Sequence, residues 1–457
     1  MTRLRESLAV LDPVDVGSTI TRRIARTIGP PGAVFVATCG FALLSMRQTI
    51  TVPATYGLTL AQTMFAVGAL VWGTAAFTGY GLPVRDRTIV AAVLAYACAS
   101  FVSYAGAMSR GVPSGITVEA MDRYIIVDML LVGMVLLILA VARTEQSLRI
   151  ILGGLLLGGT VSALFALLFA GTGLDIAASF RIPGLTKAND FVLIKNATRA
   201  GLNRPQGSAG HPLELGAVLT LLVPLGAGMI LAARARGAKV WPWLTCTGLI
   251  VVADAASLSR SAVVGGVAAL LVMCWRWPVR RLLGIVVSAA TIVIVGTIAQ
   301  IKIITALIET FAGSGNDSSL QSRAVGQAFV AENVWKRLWF GQGVGAYPTL
   351  KQPVLDNQYL SRLMEAGVFG LVTFLGALGV GLYLAIRASA RAHGALADIA
   401  SGISGSIAAL IVICLILDTS GFMQIWYMTW ILAALAGAVY VLSGDQPPPD
   451  VVEEPAG

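Results

Sequence analysis

The residues best suited to chemistry in this chain are arginines that recur in three polar stretches. Arg199 and Arg204 stand in a segment of about 172–212, Arg260 lies in Ser257-Leu258-Ser259-Arg260-Ser261, and Arg323 follows Ser318-Ser319-Leu320-Gln321-Ser322. A guanidinium presents a planar fork of donors that pairs two oxygens of a phosphate at once. Several of them converging on one place would hold an anionic group and favour charge growing on a departing oxygen.

Groups that take or orient a proton are few. The chain has 2 histidines, His211 and His393. His211 shares the segment of Arg204, and an imidazole titrates near neutrality. Asp356, in Asp356-Asn357-Gln358-Tyr359-Leu360, is the other candidate. Neighbouring arginines would hold its carboxyl low, making it an orienter more than a strong base. The two stand as alternatives. Asn357, Tyr359 and Glu365 are expected to support the site or touch an acceptor. Arg362 and Glu365 are spaced to pair on a helix, Asp356 is placed to cap that helix, and Tyr359 suits a membrane interface.

Other chemistries find less support. The 5 cysteines (Cys39, Cys98, Cys246, Cys274, Cys414) all fall in apolar runs, where a thiol behaves as a small hydrophobe. No Cys/His spacing points to a metal, so no cofactor is expected and the chemistry is read as metal-independent. The run Gly341-Gln342-Gly343-Val344-Gly345 has the letters of a dinucleotide fingerprint, but no strand–helix unit surrounds it. It is read as a turn.

The elements that must position these residues are apolar. Of 457 residues, 56% are hydrophobic and 12% charged, with mean hydropathy +0.81; a soluble domain carries about a quarter charged residues. Runs such as 124–142 and 150–170 are long enough for a ~30 Å hydrocarbon core and lack the alternation of barrel strands. The fold class is therefore all-α, a polytopic transmembrane helical bundle of about 12 spans, the first at 31–46 and the last at 422–442.

Charge sets the expected orientation. Short basic loops carry Arg22/Arg23/Arg26, Arg85/Arg87, Arg143/Arg149, Arg234/Arg236/Lys239, Arg276/Arg280/Arg281 and Arg387/Arg391. Positive loops stay inside, so both termini are expected in the cytoplasm and His393 with them. The long loops 172–212 and 301–365 then face outward and hold the site. Within the second, Leu320, Ala324, Ala328 and Phe329 recur at helical spacing, as in an amphipathic helix lying on the membrane. Asp128, Asp254 and Asp418 are read as intramembrane acids that pair to hold the bundle or relay ions. The expected organisation is a cytoplasmic segment 1–30, helices 31–171, a core 172–386, helices 387–442 and a cytoplasmic tail 443–457. The polar, basic first thirty residues argue against a removed signal peptide.

Arg204-x-x-Gly207 before His211-Pro212, Ser259-Arg260, Arg323 with the Gly341-x-Gly343 turn, and Asp356-Asn357-x-Tyr359-Leu360-x-x-x-x-Glu365-x-Gly367-x-x-Gly370 together resemble the O-antigen ligase and polymerase superfamily over roughly 200–385. The resemblance implies a bundle like those of membrane glycosyltransferases that use lipid-linked sugars (GT-C-like). It implies a bacterial cytoplasmic-membrane enzyme working on the outer face. The donor would be a glycan on undecaprenyl diphosphate, the acceptor a glycan or glycolipid, and membrane lipids the surroundings; nucleic acid is not an expected partner. Arg204, Arg260 and Arg323, with Arg199 behind them, would bind the diphosphate. Ligases of the family commonly carry His where Asp356 stands, which favours a polysaccharide polymerase over an O-antigen ligase. A flippase of lipid-linked oligosaccharide and a non-catalytic lipid-diphosphate receptor are the rival readings.

Overall fold

The structure is a computed structural model that describes residues 31–55, 57–79, 81–112, 118–187, 198–199, 201–275, 279–300, 302–312, 318–347 and 351–446. The expected N-terminal segment 1–30 and the tail beyond 446 lie outside the described residues. Each apolar run of the sequence falls on a helix. The helices are α1 (Pro31–Ser45), α2 (Leu60–Phe77), α3 (Arg87–Arg110), α4 (Val118–Val141), α5 (Glu145–Thr172), the short α6 (Ile176–Ser179), α7 (Pro212–Ala235), α8 (Trp241–Ala256), α9 (Arg260–Cys274), α10 (Val279–Ile298), α11 (Lys302–Ala312), α12 (Ser318–Asn333), α13 (Gln358–Arg391), α14 (Gly394–Ile413) and α15 (Met423–Asp445).

Eight of them (α2, α3, α4, α5, α7, α13, α14 and α15) are long and apolar enough to cross a membrane. Among the described residues the chain is an all-α polytopic membrane protein with eight helices of spanning length, and α1, α8 and α9 are shorter apolar helices where further spans were expected. The bounds of these shorter helices are local. Arg47 follows the end of α1 and turns inward, buried, to the Gly207 carbonyl and Asp175. The Ser257–Ser259 turn divides one apolar stretch into α8 and α9, of 16 and 15 residues.

The centre of the bundle is α7, α14 and α15, whose apolar windows are 78%, 78% and 83% buried, against 17% for α2. α14 runs along α7, with Ser406 Oγ donating to the Leu221 carbonyl. Such a bond gives a buried hydroxyl a partner where lipid offers none.

The helix ends sort into two sets. One set is basic: Arg85 pairs with Asp445, Glu145 lies between Arg149 and Arg236, and Arg391 sits over Tyr440. The long connections gather at the opposite end. They are more structured than loops. The 301–365 stretch is mostly helix, holding α11, α12 and the start of α13. In α12 the buried stripe is Gly326 and Val330, continued by Val334, which pack on Leu355 and Met364; Ala324 and Ala328 are exposed. Packing against the following segment thus selects one face of α12, with Phe329 of the expected stripe at its border. The 172–212 stretch carries two small ladders. β1 (Ile50–Thr51) pairs antiparallel with β2 (Thr186–Lys187), and β3 (Thr198–Arg199) pairs with β4 (Leu202–Asn203).

Candidate active site

The site is organised by the connection between α14 and α15, Cys414–Phe422. Gln358, buried at the start of α13, accepts at its side-chain oxygen from Thr419 Oγ1 (2.9 Å) and from the Ser420 N–H (2.6 Å). Its own N–H donates to the Cys414 carbonyl at 2.8 Å. Asn357 Nδ2 donates to the Leu415 carbonyl (3.0 Å). Arg323, reaching in from α12, donates to the Ile416 carbonyl at 3.1 Å. Segments ninety residues apart in sequence are thus tied to one turn, because its backbone carbonyls need donors once α14 has ended.

Asp356 lies within electrostatic reach of both Arg323 and Asp418. Asp356 is half-buried and holds φ 44°, in the left-handed region that non-glycine residues seldom adopt. Burial pushes its carboxyl above the usual range; Arg323 pulls it down and Asp418 pushes it up. The expectation of a low carboxyl is therefore corrected: lost hydration outweighs the arginine. Asp356 is not the cap of α13 either. Asn357 is, with Oδ1 accepting from the N–H groups of Tyr359 and Leu360. Asp418 was expected inside a span. Since α14 ends at Ile413, it lies in the turn, where it accepts from Ser420 Oγ at 2.8 Å.

A second group forms at the α8–α9 turn. Arg204 Nε donates to the Ser257 carbonyl at 2.9 Å, and Arg260 opens α9 two residues after Leu258, itself at φ 52°. His211 caps α7, its Nδ1 accepting from the Leu213 N–H at 3.0 Å. Burial first, and then Arg204, push its imidazole down to about 4. It is a neutral ring and a weaker base than its resting value suggested. Its ring lies 5.7 Å from that of Phe422, which links this group to the α14–α15 turn. Arg204, Arg260, Arg323, Asp356 and His211 therefore stand at the same end of the bundle, as two groups around one connection. Arg199 lies on β3 at this end, and its side chain is outside the described residues.

The remaining expected residues brace the site. Tyr359 donates its hydroxyl to the Ile411 carbonyl at 2.8 Å. Glu365 is buried, pairs with Arg362 at 2.7 Å and accepts from the Gly345 N–H. Here the Gly341–Gly345 run is a turn, as read. Gln342 and Gly343 donate their N–H groups to the carbonyls of Met364 and Glu365. Gly341 and Gly367 both hold φ 67°, and a Cβ on either would fall on the opposing backbone. Only glycine allows the two strands of chain to approach this closely.

Several polar anchors have partners that the sequence did not reveal. Arg362 is buried and donates to Tyr96, whose hydroxyl in turn donates to Asp128. Glu214 accepts from the Gly210 and Gln424 N–H groups, joining the start of α7 to α15. Arg47, bonded to Gly207 and Asp175, completes the set. A charge inside an apolar run was the available signal, but these partners lie far along the chain. Asp128 has the bundle-holding role expected of it, bonded also by Trp426; Asp254 accepts from Thr220. Among the described residues, no three of His, Cys, Asp or Glu gather where a metal ion could be held.

Residues 245–375 match the O-antigen ligase family model. The match spans Arg260, Arg323, Asp356, Asn357, Tyr359 and Glu365, and leaves Arg199, Arg204 and His211 outside it. It supports the resemblance to the ligase and polymerase superfamily. A search of curated proteins gives no match.

Proposed function

We propose that this integral membrane protein is a glycosyltransferase that moves or polymerises glycan from an undecaprenyl-diphosphate donor at the outer face of the bacterial cytoplasmic membrane. The polymerase reading is favoured over the ligase by Asp356. The observation that carries the proposal is the gathering of Arg204, Arg260 and Arg323 at one bundle end with Asp356 and Asp418, within and beside the family segment.

In the reaction an acceptor hydroxyl attacks the anomeric carbon of the donor. The bond from that carbon to the diphosphate oxygen breaks, and its electron pair leaves on the lipid diphosphate. The three arginines meet that growing charge more strongly in the transition state than in the ground state, which is what accelerates the step. The hydroxyl proton passes to a base. Asp356 is the first choice, because burial brings its carboxyl towards a useful basicity while Arg323 keeps it ionisable. His211 is the alternative, through the ring nitrogen its cap leaves unused. Asp128 is bonded by Tyr96 and Trp426, which supports a bracing role over that of a relay in a flippase.

The test combines purified protein, undecaprenyl-diphosphate glycan and a glycan or glycolipid acceptor, and follows free lipid diphosphate. Release that requires acceptor supports the transferase. Movement of intact donor between leaflets supports a flippase, and saturable binding without release supports a receptor.

A further inference from the structure

At the basic end of the bundle, away from the candidate active site, a groove of about 500 Å³ opens between α1, α5, α7 and α8. Its walls are apolar, with Phe41, Leu157 and Trp243 among them. Phe41 and Leu157 are 38% and 50% exposed, so they are presented outward and not packed in the core. Its mouth is polar: Arg149 and Arg236 line it, with Gln146 beside them. Glu145 is the carboxylate shared by both guanidinium groups, at 3.3 Å from Arg149 and 3.9 Å from Arg236. Two cations against one anion leave a net positive charge at the mouth. Arg236 Nε donates to the Ala232 carbonyl at 3.0 Å, and its side chain is 30% exposed.

The groove has a direction. Gln146 and Arg149 lie in the first turns of α5 and Leu157 lies two turns beyond. At 1.5 Å per residue, the eight residues from Arg149 to Leu157 span about 12 Å. A charged mouth thus leads into an apolar channel along the helix axis. Tryptophan and arginine at such a level are the pair that anchors at a lipid headgroup layer.

We infer that this groove binds an anionic glycerophospholipid of the leaflet at the basic end, its phosphate between Arg149 and Arg236 and one acyl chain along Phe41, Leu157 and Trp243. Charge selects the headgroup, since a phosphate diester offers the guanidinium donors two oxygens each. The apolar length selects a lipid over a free anion. The site is separate from the proposed transfer reaction, and its α5, α7 and α8 are helices that reach the opposite end.

The test is native mass spectrometry of the full-length protein in detergent, with phosphatidylglycerol and phosphatidylcholine added in equal amounts. Wild-type protein should retain the anionic lipid at least tenfold over the zwitterionic one. Arg149→Gln/Arg236→Gln should abolish that preference, while Arg85→Gln, at the same end but on a separate ion pair, should keep it. Leu157→Trp, which narrows the channel and leaves both arginines, should also lose retention; it serves as the independent variant should the double substitution not yield monodisperse protein. Equal retention of the two lipids by wild type, or an unchanged preference in either groove variant, overturns the inference. Displacement of phosphatidylglycerol by millimolar inorganic phosphate overturns it in favour of a free-anion site.

Discussion

Replacing Arg362 by methionine should destabilise the bundle more than replacing Arg362 and Glu365 together. Both groups are buried, with side chains 1% and 8% exposed and 2.7 Å between them. Arg362 also donates to the Tyr96 hydroxyl at 3.0 Å and lies 5.3 Å from the Trp426 ring centre. Arg362→Met roughly keeps the volume and removes the cation. Glu365 is then left with the Gly345 N–H, and Asp128 with Tyr96 and Trp426, all neutral donors. Removing one partner of a buried ion pair costs about 3–5 kcal/mol. Arg362→Met/Glu365→Met removes both charges of the pair and leaves Asp128 as the single variant does; in place of the unpaired Glu365 it has a Gly345 N–H without acceptor, about 1–3 kcal/mol. The double variant should therefore be more stable than the single by about 2 kcal/mol. Reversible unfolding in mixed micelles, followed by tryptophan fluorescence, reads this directly, because Trp426 and Trp430 stack into the same network. Two results refute the reasoning. One is an Arg362→Met loss no larger than an exposed pair gives, about 1 kcal/mol. The other is a double variant whose loss equals the sum of the singles.

Four further outcomes are expected. Arg204→Ala, Arg260→Ala and Arg323→Ala should each raise the barrier by about 3 kcal/mol, more than a hundredfold in lipid-diphosphate release, with lysine restoring only part; full activity with all three replaced ends the assignment. A base works ionised, so kcat/KM should fall as pH drops through the Asp356 pKa, and burial places that limb above the ordinary carboxylate value near 3.9. Arg323→Gln removes the charge that opposes the rise and should move the limb to higher pH, whereas a pH–rate profile untouched by Asp356→Asn removes this residue as base. His211→Asn should keep the α7 cap and its stability while His211→Ala loses about 1 kcal/mol; undiminished transfer by the Asn variant leaves the ring a cap alone. Gly367→Ala should cost at least about 2 kcal/mol, from its left-handed φ and the Trp339 backbone beside it, and Gly376→Ala, in open space on the same helix, should be neutral or stabilising in the same melting assay.

Hydropathy and the order of short polar motifs were enough to read an all-α membrane bundle and the place of nearly every helix, and to mark the segments of the candidate site. These are local properties: an apolar run must become a helix in lipid because its backbone has no other hydrogen-bond partners. The Arg362–Glu365 pair was legible for the same reason, since three residues on a helix share a face. What the sequence left open was set by contacts between distant segments. Arg47 finds its partners in Gly207 and Asp175, far along the chain, and Asp418 lies in a turn because α14 stops at Ile413. The basicity of Asp356 and His211 follows from burial that no neighbouring letter records. Above all, the α14–α15 connection, silent as a motif, collects Gln358, Asn357 and Arg323 on its free carbonyls. Only the packed bundle brings those donors within reach, so the site is a property of the tertiary structure, while the helices that hold it up were already written in the chain.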